Sequence, residues 1–125
     1  MWSYHTVKRP AVLVTGGAQR VGAAFSRAFA AAGWHVIIHY RSSGDAAAKL
    51  AAELPSAETV QADLAQDGAP DQLAHSIAAR LDDWRCLVNS ASVFIPDDVT
   101  ALDPQTFDTS MRVNARAAAM LAQSY

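Results

Sequence analysis

Val12-Leu13-Val14-Thr15-Gly16-Gly17-Ala18-Gln19-Arg20-Val21-Gly22 is the stretch that decides the fold. Val12 to Val14 form an unbroken apolar run, which suits a parallel strand buried on both faces, where alternation is not needed. Thr15-Gly16-Gly17 ends the strand. From Val21 the apolar residues recur at helical spacing (Val21, Ala24, Phe25, Ala28, Phe29, Ala32), and Gly33 fits the C′ position of that helix. This face is therefore expected to be the buried one. A strand, a glycine turn and a helix N-terminus make a phosphate cradle, because free N–H groups and the positive end of the helix dipole converge on the turn.

Outward from the turn, Trp34 to Tyr40 read as a second strand, followed by a helix to about Leu54 that Ser43 or Asp45 can cap and Pro55 stops. Glu58 to Ala62 read as a third strand. A third helix is expected from Pro70 to Asp83, with Leu73, Ile77 and Leu81 on one face, and a short apolar strand at Cys86-Leu87-Val88. A loop from Asn89 to about Asp103 precedes a last helix that starts near Pro104, a favoured first-turn residue. Strands alternating with helices of this length predict an α/β domain with a doubly wound, Rossmann-type parallel sheet. Right-handed crossovers give the strand order 3-2-1-4. Residues 1–9 read as a lead-in and 10–125 as the domain.

The 125 residues are 51% hydrophobic with a net charge of −2. That balance offers no basic footprint for nucleic acid and no disorder signature. The single cysteine, Cys86, suits a reducing compartment. With no signal-like apolar core in the first ten residues and no membrane-spanning run, the chain reads as cytoplasmic.

The turn does not follow G-x-G-x-x-G; its spacing is T-G-x-x-x-R-x-G. It resembles the short-chain dehydrogenase/reductases, whose turn reads T-G-x-x-x-G-x-G, and the arginine variant resembles their pteridine reductase and dihydromonapterin reductase branch. The resemblance implies that Gly16, Arg20, Val21 and Gly22 contact a dinucleotide. Arg20 points the same way on physical grounds: a cation in the first helical turn is disfavoured by roughly 0.3–1 kcal/mol unless an anion is near. At the end of the second strand, His39-Tyr40-Arg41-Ser42 carries no carboxylate for a ribose 2′-hydroxyl. Arg41 instead offers a planar fork suited to a 2′-phosphate, so NADPH/NADP is the expected cofactor. Asp63-Leu64 matches the family pair that meets the adenine. Asn89-Ser90-Ala91 resembles the family's Asn-Asn-Ala loop beside the nicotinamide ribose, with serine at the second asparagine.

For chemistry, the resemblance implies that Asn114, in Met111-Arg112-Val113-Asn114, supports a water in the proton relay to a catalytic lysine. Phe107, Met111, Asn114, Ala118 and Leu121 are expected on one face of the last helix. Ser92 and Phe94 match the pteridine reductase positions that meet a flat pterin, Phe94 by stacking. Tyr4-His5-Thr6-Val7-Lys8 has the family's Tyr-x-x-x-Lys spacing but precedes the first strand, on the order of 15–20 Å from the expected site at ~3.3 Å per residue. It reads as coincidence. His5, His35, His39 and His75 form no metal-ligand grouping, and nothing indicates a hydrolase triad. The resemblance covers about the first half of a family member and lacks the catalytic Tyr/Lys helix. The expectation is an apparently truncated NADPH-dependent reductase that transfers hydride to a C=N or C=O bond, a pterin-type small molecule being the favoured substrate, in a homo-oligomer (dimer or tetramer). The alternatives are a 3-oxoacyl thioester or other ketone reductase, or a non-catalytic nucleotide-binding module.

Overall fold

The computed structural model describes residues 8–125, so Tyr4 of the Tyr4–Lys8 pair lies outside the described residues. Four strands, β1 (Ala11–Thr15), β2 (His35–Tyr40), β3 (Ala57–Gln61) and β4 (Trp84–Asn89), form one sheet in the order β3-β2-β1-β4. Every pairing is parallel. The expected Rossmann-type order is therefore present. The helices are α1 (Arg20–Ala31), α2 (Gly44–Glu53), α3 (Ala69–Arg80), α4 (Pro104–Met111) and α5 (Ala117–Ser124). A wide helical turn over Arg112–Arg116 joins the last two.

Successive strand side chains point to opposite faces, and the two central strands feed two cores. Val12, Val14, Val36 and Ile38 pack with Ala30, Ala47 and Leu50 from α1 and α2. Leu13 and Ile37 pack with Leu73, Ala74 and Ile77 of α3 and Ala117 and Leu121 of α5. All five residues of β1 are buried, which accounts for its unbroken apolar run. Burial of each large side chain is worth about 1.5–3 kcal/mol.

Two expected helix faces are corrected. In α1 the buried residues are Gly22, Ser26 and Ala30, while Val21 and Phe25 are 65% and 42% exposed. Close approach sets this rotation. A Cβ on Gly22 would lie 1.9 Å from the Gly16 carbonyl oxygen, so only glycine lets the helix rest on the turn. Ser26 Oγ then donates to the Gly17 carbonyl at 2.9 Å. In the last helix Val113, Ala117 and Leu121 are buried, whereas Phe107 and Met111 are about half exposed. Ala117 N–H donates to the Arg112 carbonyl, five residues back. That insertion breaks the 3.6-residue period on which the expected stripe relied.

The ends of elements shift by a few residues. Gly33 sits at φ +94°, with Gly33 N–H donating to Ala30 and Trp34 N–H to Phe29, which makes the expected glycine C-cap. Ser43 occupies the α2 N-cap but makes no side-chain capping bond; Asp45 lies in the first turn. Asp103 caps α4 through Gln105 and Thr106 N–H. Helix α3 stops at Arg80, leaving Leu81 as its C-cap and Asp82 and Asp83 outside it.

Candidate functional site

Parallel sheets open a crevice beyond the carboxyl ends of their strands where the strand order reverses, here between β1 and β4. A cavity of about 210 Å³ lies at that end. The glycine turn contributes Gly16, Ala18 and Gln19, and the end of β2 contributes His39 to Ser43. Ala62, Asp63 and Leu64 follow β3, and Ala91, Ser92 and Val93 follow β4. Val113 of the wide turn closes one side.

The turn is built by backbone geometry. Gly16 adopts φ +59°, and a Cβ there would meet the Ala91 Cα at 2.9 Å, so the turn and the loop after β4 can touch only through glycine. Thr15, 1% exposed, fixes that loop: its Oγ1 accepts from the N–H groups of Ser90 and Ala91, both at 3.0 Å. The first N–H groups of the turn are not free, contrary to the expectation. Gly16 N–H donates to His39 Nδ1 at 3.0 Å, and Gly17 N–H donates to the His39 carbonyl at 3.0 Å. The free donors of the cradle are those of the first turn of α1, which begins at Arg20.

Arg20 is exposed and holds φ +52°, the one non-glycine residue with positive φ among the described residues. Arg20 and Val21 stand at the start of α1 rather than in the cavity wall, and Gly22 touches the turn from behind. Arg41 is exposed at the rim, and its carbonyl accepts from Gln61 Nε2 at 3.0 Å. No hydrogen bond or ion pair engages its guanidinium among the described residues. Tyr40 rests against Gly44 at the start of α2, where a Cβ would sit 3.4 Å from its ring. Ser42 lines the rim. No carboxylate stands on this side of the cavity; Asp63, across it, accepts from Ala65 N–H through Oδ1 at 3.0 Å. Leu64, 6% exposed, belongs both to the cavity wall and to the core.

His39 differs most from its expected role. It is 2% exposed, and its Nε2 lies 2.9 Å from the Ala62 carbonyl. A carbonyl only accepts, so Nε2 carries the proton and Nδ1 is the acceptor for Gly16. Burial pushes the imidazole below its ordinary value, with the Ala62 hydrogen bond acting the other way.

On the far side, Asn114 is exposed rather than buried on an apolar stripe. Its Oδ1 accepts from Val93 N–H at 2.8 Å and its Nδ2 donates to the Val93 carbonyl at 2.9 Å, so the carboxamide clamps the loop after β4. The wide turn aims it there, as such insertions often do near functional sites. Arg112 reaches the Ala65 carbonyl and Asp67, and Arg116 also pairs with Asp67 at 2.8 Å. Asn89 Nδ2 donates to the Ala118 carbonyl at 3.3 Å and lies outside the cavity, as does Ser90. Phe94 is 90% exposed, on the loop after β4, and does not line the cavity.

Sequence reasoning missed Thr15, Ser26 and Val113. A threonine ending an apolar strand and a serine four residues beyond Gly22 were available signals for the first two. Val113 depends on the widened turn, which periodicity does not reveal.

The family model for short chain dehydrogenase matches residues 10–125. Pteridine reductase 1 of Leishmania tarentolae is 40% identical over 116 residues, 75% of this chain and 40% of the relative. The crystal structure of FolM alternative dihydrofolate reductase 1 from Brucella suis, a complex with NADP, superposes with a TM-score of 0.84 at 36% identity, covering 92% of this chain and 49% of that one. A 3-oxoacyl-[acyl-carrier protein] reductase from Brucella melitensis superposes with a TM-score of 0.80 at 31% identity, covering 94% and 49%. The chain thus spans about half the length of these relatives or less. With a matching family model over nearly its whole length and the strand order and glycine turn described above, the chain belongs to the short-chain dehydrogenase/reductase family.

Proposed function

We propose that the chain carries the NADPH-binding part of a reductase that transfers hydride to a C=N or C=O bond. The observation that carries this reading is the rim after β2. Arg41 and Ser42 stand there with no carboxylate beside them, and the Arg41 guanidinium has no partner among the described residues. A ribose 2′-phosphate would supply one. The glycine turn fits the same ligand, since Gly16 puts no Cβ on the cavity wall and Gly22 lets the start of α1 rest directly against the turn. NADPH, when bound, supplies the hydride. The chain's own residues bind and orient: Arg41 and Ser42 at the 2′-phosphate, Asp63 and Leu64 at the adenine, the start of α1 with Arg20 at the pyrophosphate, and Ala91 beside the nicotinamide ribose. Asn114 holds the loop that carries Ser92 and Phe94, and so acts on the reacting end by positioning.

A pterin is the favoured substrate. Arg20, Ser92 and Phe94 occur together, and the likeness to a pteridine reductase and to an alternative dihydrofolate reductase supports it. The outward Phe94 and the likeness to a 3-oxoacyl reductase favour the second reading, a ketone of that type. Steady-state assays of the protein with NADPH separate them. Turnover of a dihydropterin, with KM raised several-fold in Phe94→Ala through lost stacking, is the expected result. Inert pterins with active 3-oxoacyl thioesters would reverse the assignment.

A further inference from the structure

We propose that His39 is a positioning residue that sets the width of the cleft by clasping the glycine turn to the loop after β3. The hydrogen-bonded register of β1 on β2 runs from Ala11–His35 to Val14–Ile38 and stops there. Beyond that point the chain after β1 turns into the glycine loop, and the tie to β2 passes to a single residue. Gly17 N–H donates to the His39 carbonyl and Gly16 N–H to its ring. The opposite ring nitrogen reaches the Ala62 carbonyl, one residue before Asp63. One rigid imidazole therefore spans from the turn that would hold the pyrophosphate to the loop that would hold the adenine.

The clasp depends on one tautomer. A backbone N–H demands an acceptor at Nδ1 and a backbone carbonyl demands a donor at Nε2, and only the neutral ring offers both. At 2% exposure the ring has little water to substitute for either partner. Neither an aliphatic residue nor a lysine could replace it. The ring nitrogens are both engaged by backbone, so His39 has none left for a ligand, which separates this role from direct cofactor contact.

Three variants and two readouts test the proposal. His39→Asn keeps an acceptor within reach of Gly16, His39→Gln keeps a donor within reach of Ala62, and His39→Leu removes both. Amide hydrogen exchange in the absence of ligand should show Gly16 protection lost in His39→Leu and His39→Gln and retained in His39→Asn. The second readout rests on the NADPH reading. Affinity for NADP should fall at least tenfold in His39→Leu, while affinity for adenosine 2′-monophosphate, which has no 5′-phosphate to reach the turn, should fall less than threefold. His39→Asn should recover most of the loss. Unchanged Gly16 protection in His39→Leu, or equal losses for both ligands, would overturn the proposal. If the native protein binds neither ligand, the NADPH reading fails, and the clasp stands or falls on the exchange data alone.

Discussion

Arg20 holds a left-handed backbone conformation, φ +52°, at a cost of about 1–3 kcal/mol for a residue with a Cβ. Its charge also opposes the positive end of the α1 dipole. Both terms are unfavourable in the free protein, and both are accounted for if Arg20 serves an anion at the turn. Arg20→Gly should therefore raise stability by about 1 kcal/mol while weakening NADPH binding, a combination that thermal melts and titration read separately. A variant that loses stability would show that Arg20 is held by native contacts instead. Gly16 and Gly22 lie at the other extreme. Their places in the turn were legible from the motif shared with the family, but the close approaches that require glycine, Gly16 to Ala91 and Gly22 to the Gly16 carbonyl, emerge only in the fold. His39 was legible as a cleft residue but not as a clasp, since its partners, Gly16 and Ala62, are backbone groups brought together only by the parallel register.

At the scale of elements, strand identity and order followed from apolar runs and their alternation with helices. Helix rotation did not. The apolar stripe of α1 (Val21, Phe25) faces outward because Gly22 and Ser26 must lie against the turn. The stripe of the last helix is broken by the wide turn at Arg112–Arg116. Both departures come from backbone contacts that periodicity cannot encode, and both adjoin the candidate site. The strands are also joined by titratable groups. His35 of β2 meets Ser56 Oγ at 2.7 Å and Glu58 of β3 at 2.8 Å, and Arg80 of α3 pairs with the same carboxylate. This Ser-His-Glu grouping lies at the amino-terminal end of the sheet, opposite the cleft, and reads as a lock between β2 and β3. Partial burial pushes the Glu58 carboxyl up, but hydrogen bonds and charge from His35 and Arg80 outweigh it and hold it below its ordinary value. A carboxyl lowered on folding contributes stability above its unfolded value near 4.5 that is lost as pH falls through the folded value. His39, lowered by burial, contributes stability above 6.5 that is lost as pH falls from there toward its folded value. Melting temperature should thus decline in two stages on acidification. His39→Gln should flatten the upper stage and Glu58→Gln the lower; an unchanged profile in either variant would contradict the assignment.

At the scale of the whole molecule, the sheet is uneven. The five residues of β1 are all buried, whereas β4, at the edge of the sheet, has none that is: four are half-buried, and Arg85 and Asn89 are exposed. The outer edge of β4 has no strand partner among the described residues. Exposed Phe107 and Met111 on α4 add apolar surface. Unpaired strand edges with apolar side chains favour association. Light scattering on the 125-residue polypeptide should therefore show mass rising with concentration, and a monodisperse monomer with a cooperative melt would refute this. The central claim, that the rim after β2 reads a 2′-phosphate, is tested most directly by calorimetric titration of NADPH and NADH into the native protein and Arg41→Asp. The native protein should prefer NADPH by at least about tenfold, ~1.4 kcal/mol, and Arg41→Asp should erase or invert that preference. Equal affinities in the native protein, or a preference that survives Arg41→Asp, would contradict it.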